Sequence, residues 1–143
     1  MEKLTDSANE EIFDEETLTK IKDYGIFVKG TSKAFTTFIT LWYLSKGDMH
    51  GYLIMKKIDE FFKPQIEVGL MKETKANKIY PLLKSLTELK LIEFYYGIHK
   101  KKEVKIYHLT EEGKKTLELI KSSFKTNINR PIWKELIKDL TSK

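Results

Sequence analysis

At 143 residues and 16.9 kDa, with 41 % hydrophobic and 33 % charged residues, the chain is sized for one domain with a helical attachment and holds enough apolar material for a core. It contains no cysteine, which excludes a disulfide scaffold, a thiolate metal site and a cysteine nucleophile. The net charge of +5 conceals a split: residues 1–19 carry seven acids and one base, net −6, so residues 20–143 carry +11, a basic body that suits a polyanionic partner.

His50, His99 and His108 are scattered and suggest no metal site. No apolar run approaches the ~18 residues that span a bilayer, and the acidic N-terminus is unlike a signal peptide. A cytoplasmic protein without membrane contact is expected. Arg130 is the single arginine. Lysine grips phosphate well but lacks the planar fork that reads guanine edges.

Leu4, Ala8, Ile12, Leu18 and Ile21 allow a helix over 1–22, with a disordered acidic arm as the equal alternative. Gly25 and Gly30 interrupt the pattern. Thr31 or Ser32 then suits an N-cap. Phe35, Phe38, Ile39, Trp42 and Tyr43, with Leu41 and Leu44, make a helix apolar on most faces, hence a central core helix that includes Trp42. It ends at Gly47.

Asp48 can cap a second helix over about 50–62, with Leu53, Ile54, Ile58, Phe61 and Phe62 inward. Pro64 and Gly69 mark a loop. Thr74 can cap a third helix over about 74–90, striped by Ala76, Ile79, Leu83, Leu86 and Leu89 and kinked at Pro81.

The period then falls from 3.6 to 2. Ile92, Phe94 and Tyr96 alternate with Glu93 and Tyr95, and Val104, Ile106 and His108 alternate with Lys105 and Tyr107. Between them Gly97 and His99-Lys100-Lys101-Lys102-Glu103 form the polar tip of a β-hairpin. Thr110, followed by Glu111 and Glu112, starts a helix striped by Leu117, Ile120 and Phe124. After Asn129 and Pro131, a last helix carries Ile132, Trp133, Leu136, Ile137 and Leu140.

Three helices followed by a hairpin is the order of a winged helix-turn-helix, in which the third helix enters the major groove and the hairpin reaches the adjacent backbone or minor groove. The fold class is therefore mainly α (α+β). Lys72, Lys75 and Lys78, with Thr74 and Asn77, surround the start of the third helix. His99, Lys100, Lys101, Lys102 and Lys105 arm the hairpin. Two basic clusters on adjoining elements point to double-stranded DNA. Tyr80 suits packing or a backbone contact. His50 suits a helix cap or packing against the first helix more than a pH sensor or a DNA contact. No P-loop, GxGxxG, Gly-x-Ser-x-Gly or HExxH occurs, and the Glu-Glu pairs lie at helix starts or in the acidic arm, so no enzyme, cofactor or metal is expected.

Four segments carry a family resemblance: Met49-His50-Gly51-Tyr52-Leu53-Ile54, Ile79-Tyr80-Pro81-Leu82-Leu83-Lys84-Ser85-Leu86, Leu91-Ile92-Glu93, and Lys105-Ile106-Tyr107-His108-Leu109-Thr110-Glu111-Glu112-Gly113. In this order, over about residues 33–115, the chain resembles the PadR-like family of transcriptional regulators. The resemblance implies a dimeric winged-helix regulator, most often a repressor, paired through C-terminal helices and often the N-terminal segment. It also implies a response to a small aromatic or cationic effector. Two features depart from the family: the acidic stretch 1–30 precedes its usual start, and the wing holds lysine where arginine is common.

The expected organisation is an acidic extension over 1–30, a winged helix over 31–110 and a dimerisation region over 111–143. The expected homodimer interface is Leu117, Ile120, Phe124, Ile132, Trp133, Leu136, Ile137 and Leu140, because the last helix would otherwise expose its apolar face. Trp133 is either an anchor of that interface or the wall of an effector site. A non-specific architectural DNA binder and a winged-helix protein adaptor are the alternatives to a sequence-specific regulator.

Overall fold

The computed structural model of the chain describes residues 15, 16, 19 and 33–143. Glu15, Glu16 and Thr19 are helical. The rest of the expected helix or arm over 1–22, and the Thr31 or Ser32 cap, lie outside the described residues.

Helix α1 (Lys33–Lys46) buries Thr36, Ile39, Thr40, Leu41 and Leu44. Its aromatic residues Phe35, Phe38, Trp42 and Tyr43 pack half-buried around that core. Two threonines thus hold deeper positions than the aromatics. Thr40 is 0 % exposed, and its hydroxyl donates to the Thr36 carbonyl at 2.8 Å, which satisfies the buried group.

Met49–His50 forms a short strand, β1, that the sequence reading missed. Helix α2 (Gly51–Phe61) follows, capped by His50 rather than Asp48: the Leu53 N–H donates to His50 Nδ1 at 3.2 Å. Asp48 instead accepts from the Tyr95 hydroxyl at 3.0 Å. Ile54 and Ile58 are buried as expected, but Leu53 and Phe61 are exposed and Phe62 is half-buried. Phe61 and Phe62 belong to a side cluster, their rings about 6 Å from that of Phe35.

The expected loop at Pro64 contains helix α3 (Lys63–Glu67), where proline in the first turn forfeits no helical hydrogen bond. Helix α4 spans Ala76–Glu88 without interruption at Pro81. Its N-cap is Lys75, not Thr74; the Thr74 N–H donates to Asp59 Oδ1 at 2.8 Å, tying the approach of α4 to α2. Ile79, Leu82, Leu83 and Leu86 form the buried stripe. Ala76 and Leu89 are exposed, so the stripe keeps Ile79, Leu83 and Leu86, gains Leu82 and stops short of the expected one at both ends.

The C-terminus of α4 closes on two backbone bonds, Lys90 N to Thr87 O at 3.0 Å and Leu91 N to Leu86 O at 3.1 Å. This closure puts Lys90 at φ 62, in the left-handed region usually given to glycine.

Strands β2 (Ile92–His99) and β3 (Lys102–Leu109) form the hairpin, and β1 joins β3 to give an antiparallel sheet of order β1-β3-β2. Ile92 pairs with Leu109 and Phe94 with Tyr107. The core face of β3 therefore carries Tyr107 and Leu109, while Val104, Ile106 and His108 lie on the other face. The tip is a two-residue turn: Lys100 and Lys101 have φ of 50 and 65, the paired left-handed geometry that matches strand twist.

Helix α5 (Glu111–Ile128) is capped by Thr110, whose Oγ1 accepts from Gly113 N at 3.0 Å. The same hydroxyl lies 2.7 and 2.9 Å from the carbonyls of Lys90 and Leu91. Leu117 is buried in the winged-helix core, Ile120 packs against it, and the Phe124 ring lies 5.2 Å from Phe38. Helix α6 (Pro131–Thr141) buries nothing fully.

Gly113 is required by close approach: a Cβ there would meet the Leu91 carbonyl oxygen at 2.0 Å. Backbone lies on both sides of this contact, so neither can yield cheaply. Gly113→Ala is expected to cost about 1–3 kcal/mol and to lower the melting temperature by several degrees in thermal denaturation followed by circular dichroism; an unchanged midpoint would show that the junction is loose.

Candidate nucleic-acid interface

The exposed face of α4 follows from its buried one. With Ile79, Leu83 and Leu86 inward, Asn77, Tyr80, Pro81, Lys84 and Glu88 face solvent, and Lys75 and Lys78 flank the helix start. Lys72 is exposed on the preceding loop, and Thr74 is half-buried behind it. Lys84 was missed in the sequence reading, although its spacing of seven from Asn77 places it on the same face.

Lys78 borders a hollow lined by Lys33 and Thr36 of α1 and by Ile79, Pro81, Leu82 and Ser85 of α4. It therefore sits at the edge of the α4 face that turns toward α1.

Tyr80 is 44 % exposed, yet its position is fixed. Its ring lies on Gly51, where a Cβ would fall 2.6 Å from Tyr80 Cε1. The glycine of the His-Gly-Tyr segment is thus the seat of the tyrosine in the Tyr-Pro-x-Leu segment. Behind it, burial raises the Tyr107 phenol above its ordinary value of 10.0, with smaller contributions from Tyr80 and Tyr96.

On the hairpin, Lys100, Lys101 and Lys102 are exposed at or beside the tip. Lys105 differs: it pairs with Tyr96, and its Nζ sits 4.5 Å from the Phe94 ring centroid. That ammonium leans back along the wing, held by the ring face. The Tyr96 ring is likewise edge-on to Phe94 at 5.6 Å.

His99 is drawn to α2 rather than outward. Its ring centroid is 4.3 Å from that of His50. His50 titrates below its ordinary value of 6.5, first through burial, then through the charges of His99 and Lys100. His108 stands apart, its Nε2 2.7 Å from Glu93 Oε1 across the strands.

On the C-terminal region, Ile132, Leu136 and Leu140 are 59, 49 and 72 % exposed, while Trp133 and Ile137 are half-buried. Trp133 lines a hollow on α6 with Ile132, Glu135, Leu136, Lys138 and Asp139. Leu119 and Ile128 add exposed apolar surface on α5. Among the described residues, no cluster of three or more acids and histidines could hold a metal, and no helix is long and apolar enough to cross a membrane.

The model of the transcriptional regulator PadR-like family matches residues 40–119. No curated protein matches the chain. Solved structures do. The protein smu.1704 of Streptococcus mutans is 26 % identical with a TM-score of 0.56, covering 67 % of this chain and 81 % of its own. A PadR-like transcription factor of Bacteroides fragilis is 19 % identical with a TM-score of 0.56, covering 76 % and 92 %. A PadR family regulator of Clostridium difficile is 24 % identical with a TM-score of 0.52, covering 76 % and 99 %.

The low His50 value makes a stability statement. Between its folded and unfolded values the unfolded chain holds more protons, so stability is complete above pH 6.5 and declines as pH falls below it. His50→Asn keeps a good cap without a titrating group. Urea denaturation at pH 7.5 and 5.5 should show a smaller loss of stability for the variant than for the parent; equal losses would exclude His50 as the source.

Proposed function

The chain belongs to the PadR-like family of transcriptional regulators, and from that premise we propose that it is a homodimeric repressor that seats α4 in the DNA major groove and sets its lysine wing on the adjacent backbone or minor groove. One observation carries this reading: the exposed α4 face and the Lys100-Lys101 turn are both cationic and are oriented by a single core. Asn77, Lys75, Lys78 and Lys84 would face the groove, which is about 12 Å wide and admits one helix. Tyr80, anchored on Gly51, would brace the backbone. The protein binds and does not catalyse.

Dimerisation follows from α6. A helix that exposes Ile132, Leu136 and Leu140 needs a partner surface. A two-fold mate supplies it and sets two α4 helices about 34 Å apart, one DNA turn. Ile120 and Phe124 support this interface from behind, while Leu117, at 2 % exposure, serves the core of its own chain. An aromatic or cationic effector would act at Trp133, in the hollow beside the same interface, by favouring one spacing of the two helices.

Sedimentation at micromolar concentration should show a dimer, and Leu136→Glu with Leu140→Glu should shift it to monomer and weaken DNA binding. A stable monomer of the parent chain would overturn the dimer. Affinity for duplex DNA should fall by about 10³–10⁵ between ~50 and ~200 mM salt if six to ten phosphates are neutralised. Lys100→Ala and Lys101→Ala should weaken all duplexes alike and reduce the salt slope by about one per lost contact, whereas Asn77→Ala should alter sequence preference. A salt-insensitive parent would support the protein adaptor, and equal affinity for upstream and random duplexes the architectural binder.

A further inference from the structure

The His-Gly-Tyr segment and the wing tip meet at one place that the reading above leaves unused. His50 and His99 come from different elements, one capping α2 and the other ending β2, yet their rings are in contact at 4.3 Å. Lys100 follows His99 in the turn and brings a positive charge to the same spot. Lys102 pairs with His99 across the hairpin and brings a second. Tyr52 also stacks on His50, ring centroids 6.4 Å apart, with Lys56 over its own ring.

No acid among the described residues is bonded to this group. The nearby Asp48 carboxylate accepts from Tyr95, Glu93 holds His108, and Glu103 pairs with Ile98 on the other face of the hairpin. Burial is the first cause of the lowered His50 value, and His99 and Lys100, which meet no counter-charge here, add to it by repulsion. An anion placed between them removes that repulsion.

The hydrogen-bond pattern assigns the roles within the pair. His50 Nδ1 accepts from the Leu53 N–H, so it carries no proton, and the neutral ring presents an Nε2–H. His50 can therefore donate without becoming charged, and it must stay neutral to keep its cap. Transition-metal binding at His50 Nε2 would require the other tautomer and would break that cap. The incoming proton therefore belongs on His99, whose side chain is exposed.

We propose that His50, His99 and Lys100 grip one phosphate of the DNA backbone, and that His99 takes up a proton as they do so, making DNA affinity rise as pH falls from 8 to 6. The sign follows from linkage. A phosphate beside an imidazole favours its charged form, so the complex holds more protons than the free protein over this interval, and lowering the pH favours the complex. The limit is tenfold per pH unit for each proton taken up. This inference rests on DNA binding as read above.

The test is duplex binding by the full chain, at constant ionic strength, between pH 8 and pH 6. The parent should bind several-fold to tenfold more tightly at pH 6, per site engaged. His99→Gln preserves a polar side chain without the titration and should bind more weakly than the parent at pH 6, with a flat pH profile. His50→Asn keeps the cap and loses the Nε2–H, so it should bind more weakly at both ends of the range. His108→Gln should behave as the parent does. Salt-sensitive DNA binding with no pH dependence in the parent, or a pH dependence that survives in His99→Gln, would overturn the proposal while leaving the DNA-binding reading intact. Failure to bind any duplex, at any pH or salt, would instead remove that reading.

Discussion

The Leu91 carbonyl is the point on which the winged helix turns. It accepts from the Thr110 N–H at 3.1 Å and from the Thr110 hydroxyl at 2.9 Å, and it presses against Gly113. Three elements meet there: the end of α4, the root of the wing and the first turn of α5. Each such bond contributes only about 1 kcal/mol net. Their value is geometric, because they fix where the wing leaves α4 and where α5 starts. The Leu-Thr-x-x-Gly segment is thus a junction, with leucine in the core, threonine bridging two elements and glycine admitting the carbonyl.

A second junction joins the segment before α2 to α4. Gly51 leaves room for the Tyr80 ring, His50 caps α2, and β1 pairs with β3 through Met49–Tyr107 and His50–Ile106. The wing is therefore held at its root by Thr110 and at its side by β1. A hairpin so held can present a lysine turn in a defined place, whereas an isolated two-stranded hairpin is marginal in water.

This frame carries Lys72, Lys75 and Lys78 at the start of α4 and Lys100, Lys101 and Lys102 at the wing tip. Exposed apolar side chains include Ile132, Leu136 and Leu140 of α6 as well as Tyr95, Tyr96 and Ile98 of the wing. Proteins of this size seldom leave such a helix face uncovered.

The sequence by itself determined the order of elements and most of their nature. Periodicity changes from 3.6 to 2 at Ile92 and back at Thr110, and hydrophobic spacing reports such changes directly. It also determined the Thr110 cap and the two basic clusters, since both depend on neighbours in the chain. Tertiary structure decided the rest. The strand at Met49–His50 exists only because β3 lies beside it, and two residues carry no period. Asp48 and Thr74, both good caps by type, are replaced by His50 and Lys75 because Tyr95 holds the Asp48 carboxylate while Asp59 holds the Thr74 N–H. The parity of β3 was set by its register with β2, not by its own alternation, because Val104, Ile106 and Tyr107 are all apolar enough for either face. Leu117 went to the core and Leu136 to the surface although both sit on apolar stripes, since which stripe is covered depends on what packs against it. The meeting of His50 with His99, 49 positions apart, is of the same kind: local chemistry shapes each segment, and only the fold brings the two rings together.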